Sequence, residues 1–155
     1  MNAEGSGESM KPPSSRVRAV LDSIGLQFFV DEVPSAKFTA LEALQLMESA
    51  YSQPVASVKK SLPNAVEEIG KEWRRVAERA GLFTAGGKFF VLLASVEIDD
   101  VRWLCVKDPI GANLPGRLLS ENESIEFVAM SGNGKMVCSV MDEGDDYWVL
   151  SEEVQ

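Results

Sequence analysis

The chain has 155 residues, 45% of them hydrophobic and 25% charged, with a formal net charge of −9 and no histidine. That length suffices for one ordinary domain with a core of its own, without help from a metal or a disulfide. The missing histidine excludes Ser-His-Asp and Cys-His catalysis and His-ligated zinc, iron or haem, and two cysteines alone cannot complete a structural zinc site or an iron–sulfur cluster.

In chain order, residues 1–13 are rich in Gly, Ser, Glu and Pro and lack periodicity, and they read as a disordered leader ahead of a single α+β domain over 14–155. The leader has no apolar core to act as a signal peptide, and no run approaches the roughly 18–20 apolar residues that cross a bilayer. A cytoplasmic protein with no membrane partner is the expectation. Val17, Val20, Leu21 and Ile24 recur at helical spacing between a serine N-cap (Ser14 or Ser15) and Gly25. Leu26–Val33 then reads as a strand.

Thr39 and Glu42 form a capping box at the head of a helix whose apolar side is Ala40, Ala43, Leu44, Met47 and Tyr51. "VASVKKSL" reads as a short helix or turn. From Asn64, Val66, Ile69, Trp73, Val76, Ala77 and Ala80 make the clearest helical stripe in the chain, closed by Gly81. Residues 14–81 are therefore mainly helical.

From Lys88 the period changes from 3.6 to 2, predicting strands near 88–98, 101–107, 124–130, 135–142 and 146–151. Their connectors are Asp99-Asp100, the long loop "DPIGANLPGRLLSENE", "SGNG" and "EGD". The expected fold is α+β: N-terminal helices with one short strand, packed on a C-terminal antiparallel meander of four to five strands over 88–151. The closing segment, with its late aromatic pair Tyr147-Trp148, resembles a small SH3-like barrel in strand spacing.

The motif "AMSGNGKMV" raises the question of a phosphate loop. Such a loop needs a hydroxyl residue after Gly-Lys and a helix beyond it; here Met136 and a strand follow. Gly132-Asn133-Gly134 instead suits the turn of a hairpin. Cys105 and Cys138 sit inside β-like runs as buried thiols. Asn122-Glu123-Ser124 matches a glycosylation sequon. Asp99-Asp100 and the carboxylates Asp142, Glu143, Asp145 and Asp146 fall in turns, where acidic residues are favoured for local bonding, and "DEGDD" lacks EF-hand spacing. No metal, no other cofactor and no catalytic residue is expected.

Residues 59–88 carry 7 basic and 4 acidic side chains, and residues 89–155 carry 4 basic and 13 acidic. Arg74, Arg75 and Arg79 on the long helix are the residues a nucleic-acid reading would use. The overall charge and the interleaved Glu67, Glu68, Glu72 and Glu78 argue against it. The acidic half points to a protein partner with a basic surface. Asp142, Glu143, Asp145, Asp146, Tyr147 and Trp148 are the expected contact residues, combining carboxylates with aromatics as interface anchors do. Strand alternation places Tyr147 and Trp148 on opposite faces, so that one of them lies away from the core. The function expected is a non-enzymatic adaptor, inhibitor or immunity-type protein.

A second reading comes from "SSRVRAVLDSIGLQFFVDEVPSAKFTALEALQLM…VKKSL". It resembles the opening of the prolyl-tRNA editing family of deacylases, through Thr39, Ala40, Ala43, Lys60, Ser61 and Leu62. The resemblance covers residues 15–62; beyond Leu62 a proline and a long helix stand where the family has a strand. It implies an aminoacyl-ester-binding or hydrolysing domain centred on Lys60, with a pocket near Lys60 and the loop Gly111–Arg117.

Overall fold

Seven antiparallel strands form one open sheet in a computed structural model that describes residues 13–34, 37–47, 53–84, 86–93 and 100–154. The strands are β1 (Gln27–Phe28), β2 (Ala56–Lys59), β3 (Lys88–Leu93), β4 (Leu104–Lys107), β5 (Phe127–Met130), β6 (Met136–Asp142) and β7 (Asp146–Glu153). The helices are α1 (Ser15–Ser23), α2 (Ala40–Met47), α3 (Ala65–Arg79) and α4 (Leu114–Asn122). No described helix is long and apolar enough to cross a membrane.

Strand order is β1-β4-β3-β5-β6-β7-β2, so both edge strands come from the N-terminal half. The α+β expectation holds, but the sheet has seven strands rather than four or five, and it is open rather than closed into an SH3-like barrel. Nor is it a simple meander. β4 and β5 both pair antiparallel with β3, on opposite sides of it, and therefore run in the same direction as each other. Strands related in this way need a crossover, and α4 supplies it. The segment expected to be a long loop thus contains a helix. "VASVKKSL" likewise contains an edge strand, β2, whose register Ala56↔Val149 to Lys59↔Asp146 zips it to β7. The strand expected over 26–33 shortens to β1. The expected leader residues 1–12, Tyr51 and the expected strand residues 94–98 lie outside the described residues; Pro13, also placed in that leader, is buried.

Local chemistry explains the helix ends. The Ser14 hydroxyl accepts from Val17 N–H at 3.3 Å and donates to Asp100 Oδ2 at 2.7 Å, so the cap also anchors α1 to the segment before β4. Thr39 and Glu42 exchange their bonds as a capping box, at 2.9 and 3.1 Å. Asn113 caps α4 by accepting from Gly116 N–H at 3.1 Å.

Alternate residues of each strand enter two separate cores. Phe89, Val91, Phe127, Ala129, Cys138, Val140 and Val149 face α1, α3 and α4. Phe90, Leu92, Cys105, Val128, Met130, Val137 and Leu150 face α2 and Trp103. The period-2 pattern therefore separates one core from the other rather than core from solvent, and β5 is buried at every position. In the first core, Trp73 meets Phe127 edge-on at 4.8 Å between ring centroids. In the second, Trp103 Nε1–H donates to Phe38 O at 3.0 Å, and the buried Ser139 hydroxyl donates to Met47 Sδ at 2.9 Å.

Candidate functional site

The carboxylates singled out in the sequence gather at the β6–β7 turn. Gly144, at φ +84°, lets the chain reverse between Asp142 and Asp146, and Glu143 N–H donates to Asp146 O at 2.9 Å. Asp142 is held from three sides. Its N–H donates to Glu126 Oε2 at 2.9 Å, its Oδ1 accepts from Gly144 N–H at 3.2 Å, and the same oxygen lies 2.5 Å from Lys60 Nζ. Glu143 and Asp145 are exposed and Asp146 is half-buried. None of these three makes an ion pair with another described residue within 4 Å.

Lys60 belongs to the same place. Lys60 N–H donates to Asp145 O at 2.9 Å, extending the β2–β7 ladder past its last pair. Its Nζ sits 5.2 Å above the Tyr147 ring. The hydrogen bond that Lys60 donates to Asp142 raises the Lys60 pKa above its ordinary value, partly offset by desolvation, and the nearby acidic groups Asp142, Tyr147 and Asp145 push in the same upward direction. The amine is therefore held as an ammonium at neutral pH. A cavity of about 320 Å³ opens beside it, lined by Lys59, Lys60, Ser61, Gly144, Asp145 and Asp146. The sequence treated the acidic turn and Lys60 as rival sites; the fold brings them together.

Tyr147 and Trp148 do lie on opposite faces, but neither points away from the protein. Tyr147 packs against the first core and Trp148 against the second, and both are half-buried. The expectation of one outward aromatic fails because helices cover both faces of the sheet, so facing away from one core means facing the other.

The remaining candidates resolve as structure. Asp100, half of the carboxylate pair Asp99-Asp100, accepts from both Ser14 N–H and Ser14 Oγ–H; Asp99 lies outside the described residues. Among the described residues no group of three or more His, Cys, Asp or Glu is placed to hold a metal. Burial pushes the Cys105 thiol up to about 11, helped by the nearby Glu32 charge, and burial raises Cys138 as well. Asn122 of the sequon is 5% exposed and accepts from Arg16 at 3.2 Å. The "SGNG" segment is a hairpin turn, with Ser131 N–H donating to Met136 O at 2.9 Å. On α3, Arg74 pairs with Glu78 and Arg75 with Glu72.

Arg117 is a clasp. It donates to Asp108 Oδ2 at 2.6 Å, to Ile24 O at 2.5 Å and to Ala112 O at 2.9 Å, joining α4 to the end of α1 and to the turn after β4. Sequence reading missed this ion pair and the helix that carries Arg117. Asn113 as a cap, Pro115 in the first turn and the leucines behind it were the available signal.

No protein-family model matches the chain, and no curated protein or solved structure matches it.

Proposed function

We propose that the protein is a non-enzymatic binding module that takes a protein partner with a basic surface at the tip of the β6–β7 hairpin. The observation that carries this reading is the division of labour among the carboxylates. Asp142 is already neutralised by Lys60, whereas Glu143, Asp145 and Asp146 are held on a tight turn with no ion pair among the described residues. Carboxylates fixed in this way attract a cationic surface and lose little side-chain freedom when they meet it. Tyr147 and Trp148 stiffen the hairpin by rooting it in both cores, and the contact falls on the tip rather than on a broad sheet face.

The test compares capture of basic proteins by three forms of the chain: the wild type, a D145K/D146K variant, and an E67K/E68K variant with the same net charge. The tip variant should lose capture at low salt with an unchanged melting temperature, while the α3 variant retains most of it. Equal loss in both variants would reduce the effect to net charge and overturn the site.

The aminoacyl-ester reading draws support from the helix–strand–helix–strand order of α1, β1, α2 and β2 and from the cavity beside Lys60. An ammonium held by Asp142 suits binding of a negative group better than proton abstraction. Under that reading Lys60→Ala abolishes ester binding; under the docking reading it leaves the capture of basic proteins in place.

A further inference from the structure

A second cleft, sharing no residue with the acidic tip, lies between α3 and the Gly111–Asn113 turn that leads into α4. It measures about 480 Å³, within the range of small-molecule sites. Its shape depends on missing side chains. A Cβ on Gly70 would lie 2.1 Å from Asn113 Oδ1, so only glycine lets the turn approach α3 this closely. The opposite wall, Gly111 and Ala112, carries nothing larger than a methyl.

Lys71, Arg74 and Arg75 line the cleft against two carboxylates, Glu67 and Glu78. All three cations are ion-paired along α3, Lys71 with Glu68, Arg74 with Glu78 and Arg75 with Glu72, so what the cleft offers an anion is their remaining donors rather than a net charge. Arg74 is the fixed element. Its Nε donates to Glu78 at 2.9 Å, and its guanidinium lies 4.5 Å from the centroid of the Phe83 ring. Phe83 is itself rooted edge-on against Phe89 at 5.2 Å and Trp73 at 6.5 Å. Core packing therefore sets the plane of the arginine. Its Nη1 is turned toward Gly111, 3.9 Å from where a Cβ would stand, and nothing on that residue blocks the approach. Glu78 occupies Nε alone, leaving the Nη donors for a second acceptor. The stems of Lys71, Arg74 and Arg75, with the Ala112 methyl, give the rest of the wall an apolar character.

We infer that this cleft binds a small organic anion: Arg74 holds its phosphate or carboxylate group, Lys71 closes on it, and the apolar wall receives its body. The site is independent of the acidic tip. A duplex nucleic acid fits less well, because Glu67 and Glu78 share the cleft and Arg79, which a groove-binding helix would use, lies outside it.

The test is a titration of the full chain with phenyl phosphate and, separately, with benzoate, followed by amide chemical shifts. Saturable shifts centred on Gly70, Gly111 and Asn113 are expected. Arg74→Gln should weaken binding at least tenfold and Lys71→Gln about threefold, while Arg79→Gln leaves it unchanged. Ala112→Glu, which alters an exposed position and leaves the aromatic packing intact, should weaken it at least tenfold by placing a carboxylate in the wall. Whichever of the two probes binds more tightly identifies the anionic group and upholds the site. Shifts that never saturate, equal weakening by Arg79→Gln, or unchanged binding in Ala112→Glu would overturn it. Tight binding of a duplex oligonucleotide that depends on Arg79 would do the same.

Discussion

On one face of the sheet, α1, α3 and α4 pack over Phe89, Phe127 and their neighbours, with Trp73 wedged among them. On the other, among the described residues, α2 is the only helix, and Trp103, Phe29 and Phe38 complete the cover. The same strands supply both faces, residue by residue. The difference shows that sheet burial is decided by what the connections bring across it. On the first face α3 and α4 lead into the interior strands β3 and β5 and α1 into the edge strand β1, while the second depends on one two-turn helix fixed by a capping box, the Trp103–Phe38 bond and the Ser139–Met47 contact.

The comparison can be broken most directly from inside. Trp73→Ala should cost about 3–5 kcal/mol, because it empties the centre of the first core. Leu92→Ala on the thinner face should fall near 2–3 kcal/mol, since a single covering helix can settle into the space. Urea unfolding of both variants measures the contrast, and equal losses would remove it. Arg117→Met tests how the helices of the first face are tied together. It leaves Asp108, whose side chain is 6% exposed, as an uncompensated buried charge, and should cost about 3 kcal/mol. The double variant Arg117→Met/Asp108→Asn should recover part of that loss in the same assay.

The fold was legible wherever a residue pattern answered to one neighbour. The α3 stripe, the Thr39–Glu42 box and the turns at Gly134 and Gly144 depend on contacts within a few residues, and they appear as read. What escaped was set at long range. β2 looks like a turn until β7 is beside it, and a four-residue edge strand carries too little periodicity to declare itself. The continuous apolar run from Phe89 has the length of a buried strand, a clue that both faces are covered, but applying simple alternation to Tyr147-Trp148 left one of the two facing water. The acidic turn was visible as a cluster; its pairing with Lys60 was not, since nothing in the sequence joins residue 60 to residue 142.

Smaller effects sharpen the same contrast. Thr39→Ala should cost about 1 kcal/mol, and hydrogen exchange should show the loss concentrated in α2 and the strand positions beneath it. If the amides under α3 open equally, the two faces unfold as one. The thiols mark the two sides separately, Cys105 in the second core and Cys138 in the first. Under mild denaturant Cys105 should label before Cys138. Its raised pKa also fixes a sign. Below about 9 the thiol is protonated both folded and unfolded and costs nothing. Between that value and about 11 only the unfolded form ionises, so stability falls as pH rises through this window. Cys105→Val should flatten that alkaline decline, read from unfolding midpoints across the range.

The outermost strands of the sheet are also among the first segments to be made. Gln27 cannot find Lys107 until β3 and β4 have been made, and Ala56 cannot find Val149 until β7, the last strand of the sheet, has emerged. A growing chain therefore carries β2 unpaired while the centre is still being built, and the last strand to emerge closes a ladder begun long before. In this protein the frame is cut first and hung last.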